Sequence, residues 1–441
     1  MENIRFSYHD GEKEVSVDYI PRLVDAIVEN YLSDFGAVLL RGPKYSGKTT
    51  TGCYHSKSWI FLSKKSMKPL YDSFLVHPSL FLEGEKPRLL DEWQTYPETW
   101  DLVKENIDQS QSSKQFILTG SYSPKPGMTN HTGSMRISRV NMTTLTLKEM
   151  GLSSGGASLK AMLKGEDIMA KNFLTYEDIT HLMVRGGFPR TVLKGEHRPG
   201  QTAKVALDAI VENDIQETTQ KDLRPLTAKA ILRSLARNIS TYATNKKIIQ
   251  DVASTTPLSG PTFYEYYDGL LRLFVIHELD SYSPAIRSKD VIRMAPKRQF
   301  NEVAIAIAAL GLSEDDLNHD PQTRGFFFEN FVGHELEVYA QCLDATIGHY
   351  HDGLGLEIDF TIHFPDGKYG LIEVKSSQRG VPDAVRNFEK FEALVDCYNE
   401  SHQGEARMEK PSLKLVITGD SPYSMKRDDG IYVAAIGTLG P

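Results

Sequence analysis

Hydrophobic positions follow different periods in different parts of the chain, and the changes of period divide it. Residues 36–41 (Gly-Ala-Val-Leu-Leu-Arg) form a short apolar run that stops at Gly42, the pattern of a buried strand entering a turn, and a helix is expected to begin near Lys48. Apolar runs at 59–62, 89–90 and 115–119 predict further parallel strands with helices between them, the βαβ alternation of an α/β sheet. Segment 121–134, rich in Ser, Pro, Gly and Asn, reads as a mobile loop, and Gly/Ser-rich 151–158 reads as a linker. From 175 to 308 the spacing becomes three and four, as in Ala206, Ile210, Val211 and Ile215, which predicts a helical middle. From about Gly325 a long amphipathic segment precedes strands at Glu357–His363 and 369–374, a further helix, and a strand at Leu413–Thr418. The expected fold is α/β multidomain: 1–155, 156–310 and 311–441, without internal repeats.

Composition narrows the classes of function. The 441 residues are 40% apolar and 24% charged, a globular composition with room for about three cores. No stretch is long and apolar enough to cross a membrane, and the opening residues lack a basic-then-apolar leader, so a soluble, cytoplasmic protein with no membrane partner is expected. Cys53, Cys342 and Cys397 are too dispersed for a disulfide framework and read as buried thiols. A net charge of −8 confines any nucleic-acid surface to a local patch.

Gly42, Pro43, Lys44, Tyr45, Ser46, Gly47, Lys48 and Thr49 fit G-x-x-x-x-G-K-[ST] at every fixed position, with Thr50 next in line. In this pattern backbone N–H groups wrap the phosphates of ATP, Lys48 reaches the β- and γ-oxygens, and the Thr49 hydroxyl ligates Mg²⁺. After the short run Leu89-Leu90, Asp91 is the expected metal carboxylate and Glu92 the residue that polarises the attacking water. Ser121, at the end of Phe116-Ile-Leu-Thr-Gly, is positioned to sense the γ-phosphate, and Arg136 and Arg139 are arginine-finger candidates. Arg136 reads better as a surface ion pair.

Together these residues resemble a bacterial and archaeal family of AAA-superfamily P-loop ATPases whose C-terminal domain, of formerly unknown function, has a restriction-endonuclease-like PD-(D/E)xK fold. The resemblance rests on Tyr19-Ile-Pro-Arg22, Gly42 to Thr49, Leu90-Asp-Glu-Trp-Gln94, Leu118-Thr-Gly-Ser121, Arg139 with Leu145-Thr-Leu-Lys-Glu149, Arg185-Gly-Gly-Phe-Pro189 and Glu373-Val-Lys375. It implies an AAA-like first domain, a winged-helix-like middle and a nuclease-like end. Trp93 stands where an aliphatic residue is more usual.

The middle carries a basic stripe, Lys229, Arg233 and Arg237, on one helix face, able to track phosphates or to sit against acidic neighbours. Segments 246–253, 260–270 and 274–279 fit helix, helix and strand of a winged helix, with Lys246, Arg272 and Arg287 as further cations; Phe263, Tyr264, Tyr266 and Tyr267 read as packing. In the last third, Asp359 and Glu373-Val-Lys375 flank the turn-forming Phe-Pro-Asp-Gly at 364–367 and match D-x(n)-E-x-K. In the restriction-endonuclease-like folds that the resemblance implies, the two carboxylates bind one or two Mg²⁺ and the lysine orients or activates water for phosphodiester attack. Ile358, Phe360, Ile372 and Val374 are expected to face a core, with Asp359, Glu373 and Lys375 pointing away. Glu329, among phenylalanines, is expected to point into the same site; Gln378 would add a hydrogen bond, and Glu335 and Glu337 read as solvated. Two functions remain open: an ATPase coupled to a site that cleaves or binds DNA or RNA, and an ATP-dependent switch that binds DNA, a protein partner or a second copy without cleaving. A small-molecule kinase is disfavoured, because nothing beyond residue 150 resembles an acceptor-binding lid.

Overall fold

The computed structural model describes residues 3–123, 133, 135–282, 296–402 and 407–441. Five parallel strands form the first sheet, in the order Ser58–Phe61, Arg88–Asp91, Phe116–Gly120, Ala37–Arg41, Ile137–Asn141. The expected strands are there, and Ile137–Asn141 adds an edge that a pattern of alternating polar residues concealed. An antiparallel hairpin, Ile4–His9 with Glu14–Tyr19, precedes the sheet. Only part of the loop expected at 121–134 falls within the described residues, and Arg287 lies outside them.

Helices fill 176–272 as the spacing predicts, interrupted by a π-helical turn at Ile210–Asp214. Helices Asn245–Ala253 and Gly260–Arg272 are followed by the strand Ile276–Leu279, which pairs with Lys297–Phe300. Phe263, Tyr266 and Tyr267 are buried as packing residues, while Tyr264 is exposed.

The last third builds a seven-stranded mixed sheet: Thr346–His351, Glu357–His363, Tyr369–Lys375, Leu413–Thr418, Tyr432–Ala435, Tyr423–Lys426, Met169–Lys171. Helix Pro321–Cys342 packs on one face and helix Val381–Ser401 on the other. The outermost strand, Met169–Lys171, arrives from far upstream and pairs antiparallel with Tyr423–Lys426. Segment 151–158 is therefore no free linker. Ser153 donates to Leu439 O at 2.5 Å, Ser158 to Pro441 O at 2.7 Å, and Ala157–Ser158 pairs with Leu439–Gly440. One apolar core runs from Leu145 through the helical middle to Ile417 and Leu439, joining the last two thirds of the chain.

Candidate functional site

The strand Ala37–Arg41 delivers the phosphate loop to the C-terminal edge of the parallel sheet, and helix Lys48–Tyr54 begins where the loop ends. Gly47 holds φ 95°, and a Cβ on Gly42 would land 1.9 Å from Met142 O, so both glycines are required by the backbone path. Lys48 is buried and donates to Pro43 O at 2.7 Å; burial pulls its ammonium down to about 8 although Glu92 and Asp91 draw it up.

Asp91 ends its strand beside this loop. Its Oδ1 accepts from Thr119 Oγ1 at 2.6 Å, the Thr49 hydroxyl also bonds to it, and burial followed by Glu92 repulsion pushes it up to about 6. Glu92 sits at φ 53°. Its carboxylate accepts from Ser121 Oγ at 2.5 Å and from Gln94 Nε2, while its N–H donates to Thr119 Oγ1 at 2.9 Å. Ser121 thus orients Glu92. Gln94, which the residue pattern offered only as part of a resemblance, does the same from the other oxygen. Two carboxylates, a buried lysine and a threonine hydroxyl are a donor set that fits Mg²⁺ with a polyphosphate.

Arg22 locks the loop from below. It is 6% exposed, its Nε donates to Glu149 Oε1 at 2.9 Å, and its Nη1 to Ser46 O at 2.8 Å. Beside it a cavity of about 310 Å³ is lined by Tyr19, Arg22, Gly47, Thr51, Pro189 and Arg190, so two segments far apart in sequence meet next to the phosphate loop. Lys44 reaches the opposite way, to Asp214 Oδ1 at 2.7 Å in the π-helical turn. Thr50 lines the cavity and exposed Tyr45 sits at φ 67°. Arg139 is exposed on the edge strand, opposite Leu39. Arg136 pairs with Asp108 at 2.6 Å, the surface ion pair expected of it.

A second cluster lies about the hairpin. Asp359 sits where pairing slips between Gly348↔Thr361 and Tyr350↔Ile358, a bulge that re-aims its side chain. Its Oδ2 accepts from Val374 N at 2.8 Å and stands 3.8 Å from Lys375 Nζ. Lys375 Nζ donates to Glu373 Oε2 at 2.5 Å, and Asn387 Nδ2 donates to Glu373 Oε1 at 3.0 Å. Burial and Asp359 push Glu373 up to about 7. Glu329, from helix Pro321–Cys342, also points here; burial pushes it up to about 8, against the pull of Lys297, its ion-pair partner.

The structure corrects several expectations. Glu373 is 1% exposed rather than facing away, because helix Val381–Ser401 covers that face. Phe360, Ile372 and Val374 share one core, but Ile358 packs in the other, as the bulge requires. Exposed Gln378 lends only its backbone N–H, to Asp420 at 2.8 Å; Asn387 supplies the hydrogen bond instead. Glu335 is buried, accepting from Leu147 N at 2.9 Å and Tyr339 Oη at 2.6 Å, and half-buried Glu337 pairs with His277. Cys53 is buried as expected, but Cys397 is exposed. Lys297 was missed: Lys297-Arg-Gln-Phe300, within the stretch expected to be helical, is instead a strand buried throughout. Among the described residues no group of three or more His, Cys, Asp or Glu is placed to hold a metal unaided, which leaves Asp359 and Glu373 as a carboxylate pair.

With this geometry in place, comparison with known proteins defines the class of the first domain: residues 34–151 match the model of the AAA domain, so the chain carries an AAA-type, P-loop ATPase-like domain. Residues 176–316 and 324–438 match two domains of unknown function, DUF8612 and DUF4143. Uncharacterized proteins of Mycobacterium tuberculosis and Mycobacterium bovis are each 23% identical over 368 residues, covering 81% of this chain and 74% of theirs. Among solved structures, the Walker-type ATPase of Pyrococcus abyssi aligns with 66% of this chain and 95% of its own at 13% identity, with a TM-score of 0.40. No helix among the described residues is long and apolar enough to cross a membrane.

Proposed function

We propose that the protein binds Mg·ATP at Gly42 to Thr50 and hydrolyses it. The observation that carries this reading is the convergence of Lys48, Thr49, Asp91 and Glu92 on one buried polar site at the end of the parallel sheet. Thr49 and Asp91 would hold the Mg²⁺, which neutralises developing charge on the phosphoryl oxygens. Lys48 faces the β- and γ-phosphates, Glu92 takes a proton from the attacking water, and Ser121 and Gln94 fix the Glu92 carboxylate; Arg139 would serve as a finger from the exposed edge strand. The cavity between Tyr19, Arg22 and Pro189 has room for the nucleoside. Calorimetric titration with ATP tests the reading: Lys48→Ala should abolish binding, and equal affinity of variant and parent would refute it.

The finer part of the proposal couples this ATPase to the last third as a nuclease-like unit, with DNA or RNA as its partner. Asp359 and Glu373 would hold a divalent ion and Lys375 would orient water for phosphodiester attack, with Glu329 in support. The support is their meeting at one bulge and hairpin. A second reading, a switch that binds without cleaving, draws on the ammonium groups already set between these carboxylates. Incubating the full chain with mixed DNA and RNA and Mn²⁺, with and without ATP, separates the two: cleavage lost in Asp359→Ala supports the first, and no cleavage the second.

A further inference from the structure

The two oxygens of Asp359 face two different ammonium groups. Oδ2 looks toward Lys375, which bonds to Glu373; Oδ1 stands 3.9 Å from Lys297 Nζ, which is ion-paired with Glu329. Asp359 is thus the shared wall of two neighbouring cation positions, each closed by a second carboxylate, Glu373 on one side and Glu329 on the other.

The two lysines differ in their freedom to leave. The Lys375 side chain is 25% exposed, so its ammonium can swing into water while its place between Asp359 and Glu373 is taken. The Lys297 side chain is 3% exposed and lies 5.6 Å from the Tyr242 ring centroid and 5.8 Å from that of Phe360. It comes from a strand of the middle segment, paired with Ile276–Leu279, and not from the hairpin it serves. Moving it would strand a charge in an apolar wall and leave Glu329 and Asp359 repelling each other, so this ammonium stays.

We infer that Lys297 is a built-in cation that fills the second of two adjoining cation positions, so that the site takes a single divalent ion, between Asp359 and Glu373. The inference rests on the reading of that pair as a metal site. Lys297 is a positioning residue in this scheme: it holds Asp359 and Glu329 in place by charge.

Counting bound Mn²⁺ tests it, by calorimetry on the full chain without nucleotide, with the site's share taken as the ions lost in Asp359→Ala. The parent should lose one ion. Lys297→Met, which keeps the length of the side chain and removes its charge, should carry one ion more than the parent, and Lys297→Met with Glu329→Gln should return to the parental count. Two ions at the parental site, or no gain in Lys297→Met, overturns the inference while leaving the metal pair standing. Should Lys297→Met fail to fold, Glu329→Gln decides: it should keep one ion with affinity within about threefold of the parent, and loss of that ion would make Glu329 its ligand and overturn the assignment. No site-specific ion in the parent removes the metal reading of Asp359 and Glu373, and this inference with it.

Discussion

Glu92 and Asp91 are neighbours with different surroundings, and the difference suits each to the role proposed for it. Glu92 is gripped by Ser121 and Gln94 with its backbone in the left-handed region, an orientation suited to a water-directed base. Glu92→Gln is therefore expected to lower ATP turnover by about 10²- to 10⁴-fold while leaving affinity nearly unchanged, measured by phosphate release beside calorimetry. Asp91 is buried, and burial with Glu92 beside it raises the carboxyl from 3.8 to about 6. The folded state then holds this proton more tightly than the unfolded chain. The stabilisation is full below pH about 4 and is lost as pH rises through about 6, on the order of 3 kcal/mol. Denaturant unfolding in the absence of Mg²⁺ should show that decline in the parent and its absence in Asp91→Asn. These two residues stood out because a carboxylate pair after a strand is a pattern; Gln94, only two positions from Glu92, has no such pattern to mark its amide, and the role of Lys297 depends on Asp359, brought from 62 positions away by the fold.

At the level of elements, the apolar runs marked the buried strands well, because a strand covered on both faces has no polar alternation to confuse it. Strands with mixed faces were harder. Ile4–His9 and Glu14–Tyr19 alternate half-buried with exposed residues, and Lys297–Phe300 buries polar residues against partners: Arg298 donates to Tyr267 Oη at 2.8 Å, and Asn330 donates to the Gln299 side-chain oxygen. The basic stripe proved to be one exposed face, with Arg237 3.7 Å from Asp251. The π-helical turn Ile210–Asp214 carries a prediction of its own. It aims Asp214 at Lys44, so this carboxylate competes with any phosphate for the loop's first lysine. Asp214→Asn should tighten ATP binding by about three- to tenfold, a modest gain because Lys44 is a third exposed and screened. A calorimetric affinity equal to or weaker than the parent's would contradict this.

Across the whole molecule, the expected division at 311 cuts through continuous packing. Strand Met169–Lys171 closes the edge of the last sheet, and Tyr432 Oη donates to Glu166 O at 2.9 Å across the same seam. A fragment of 311–441 would expose the edge strand Tyr423–Lys426 and lose part of the shared core. It is expected to be unfolded or aggregated in circular dichroism and sedimentation, whereas 156–441 should melt cooperatively.

The late pairing of Met169–Lys171 with Tyr423–Lys426 also sets a timetable for biosynthesis. About 250 residues separate the partners, so at roughly 5–20 residues per second the upstream strand waits some 10–50 seconds on the ribosome before its neighbour exists. The phosphate loop and its sheet, ending at Asn141, are complete long before that. A nascent chain can thus meet ATP while the Asp359 cluster is still unassembled, and a prematurely terminated one would keep its first domain without the second site.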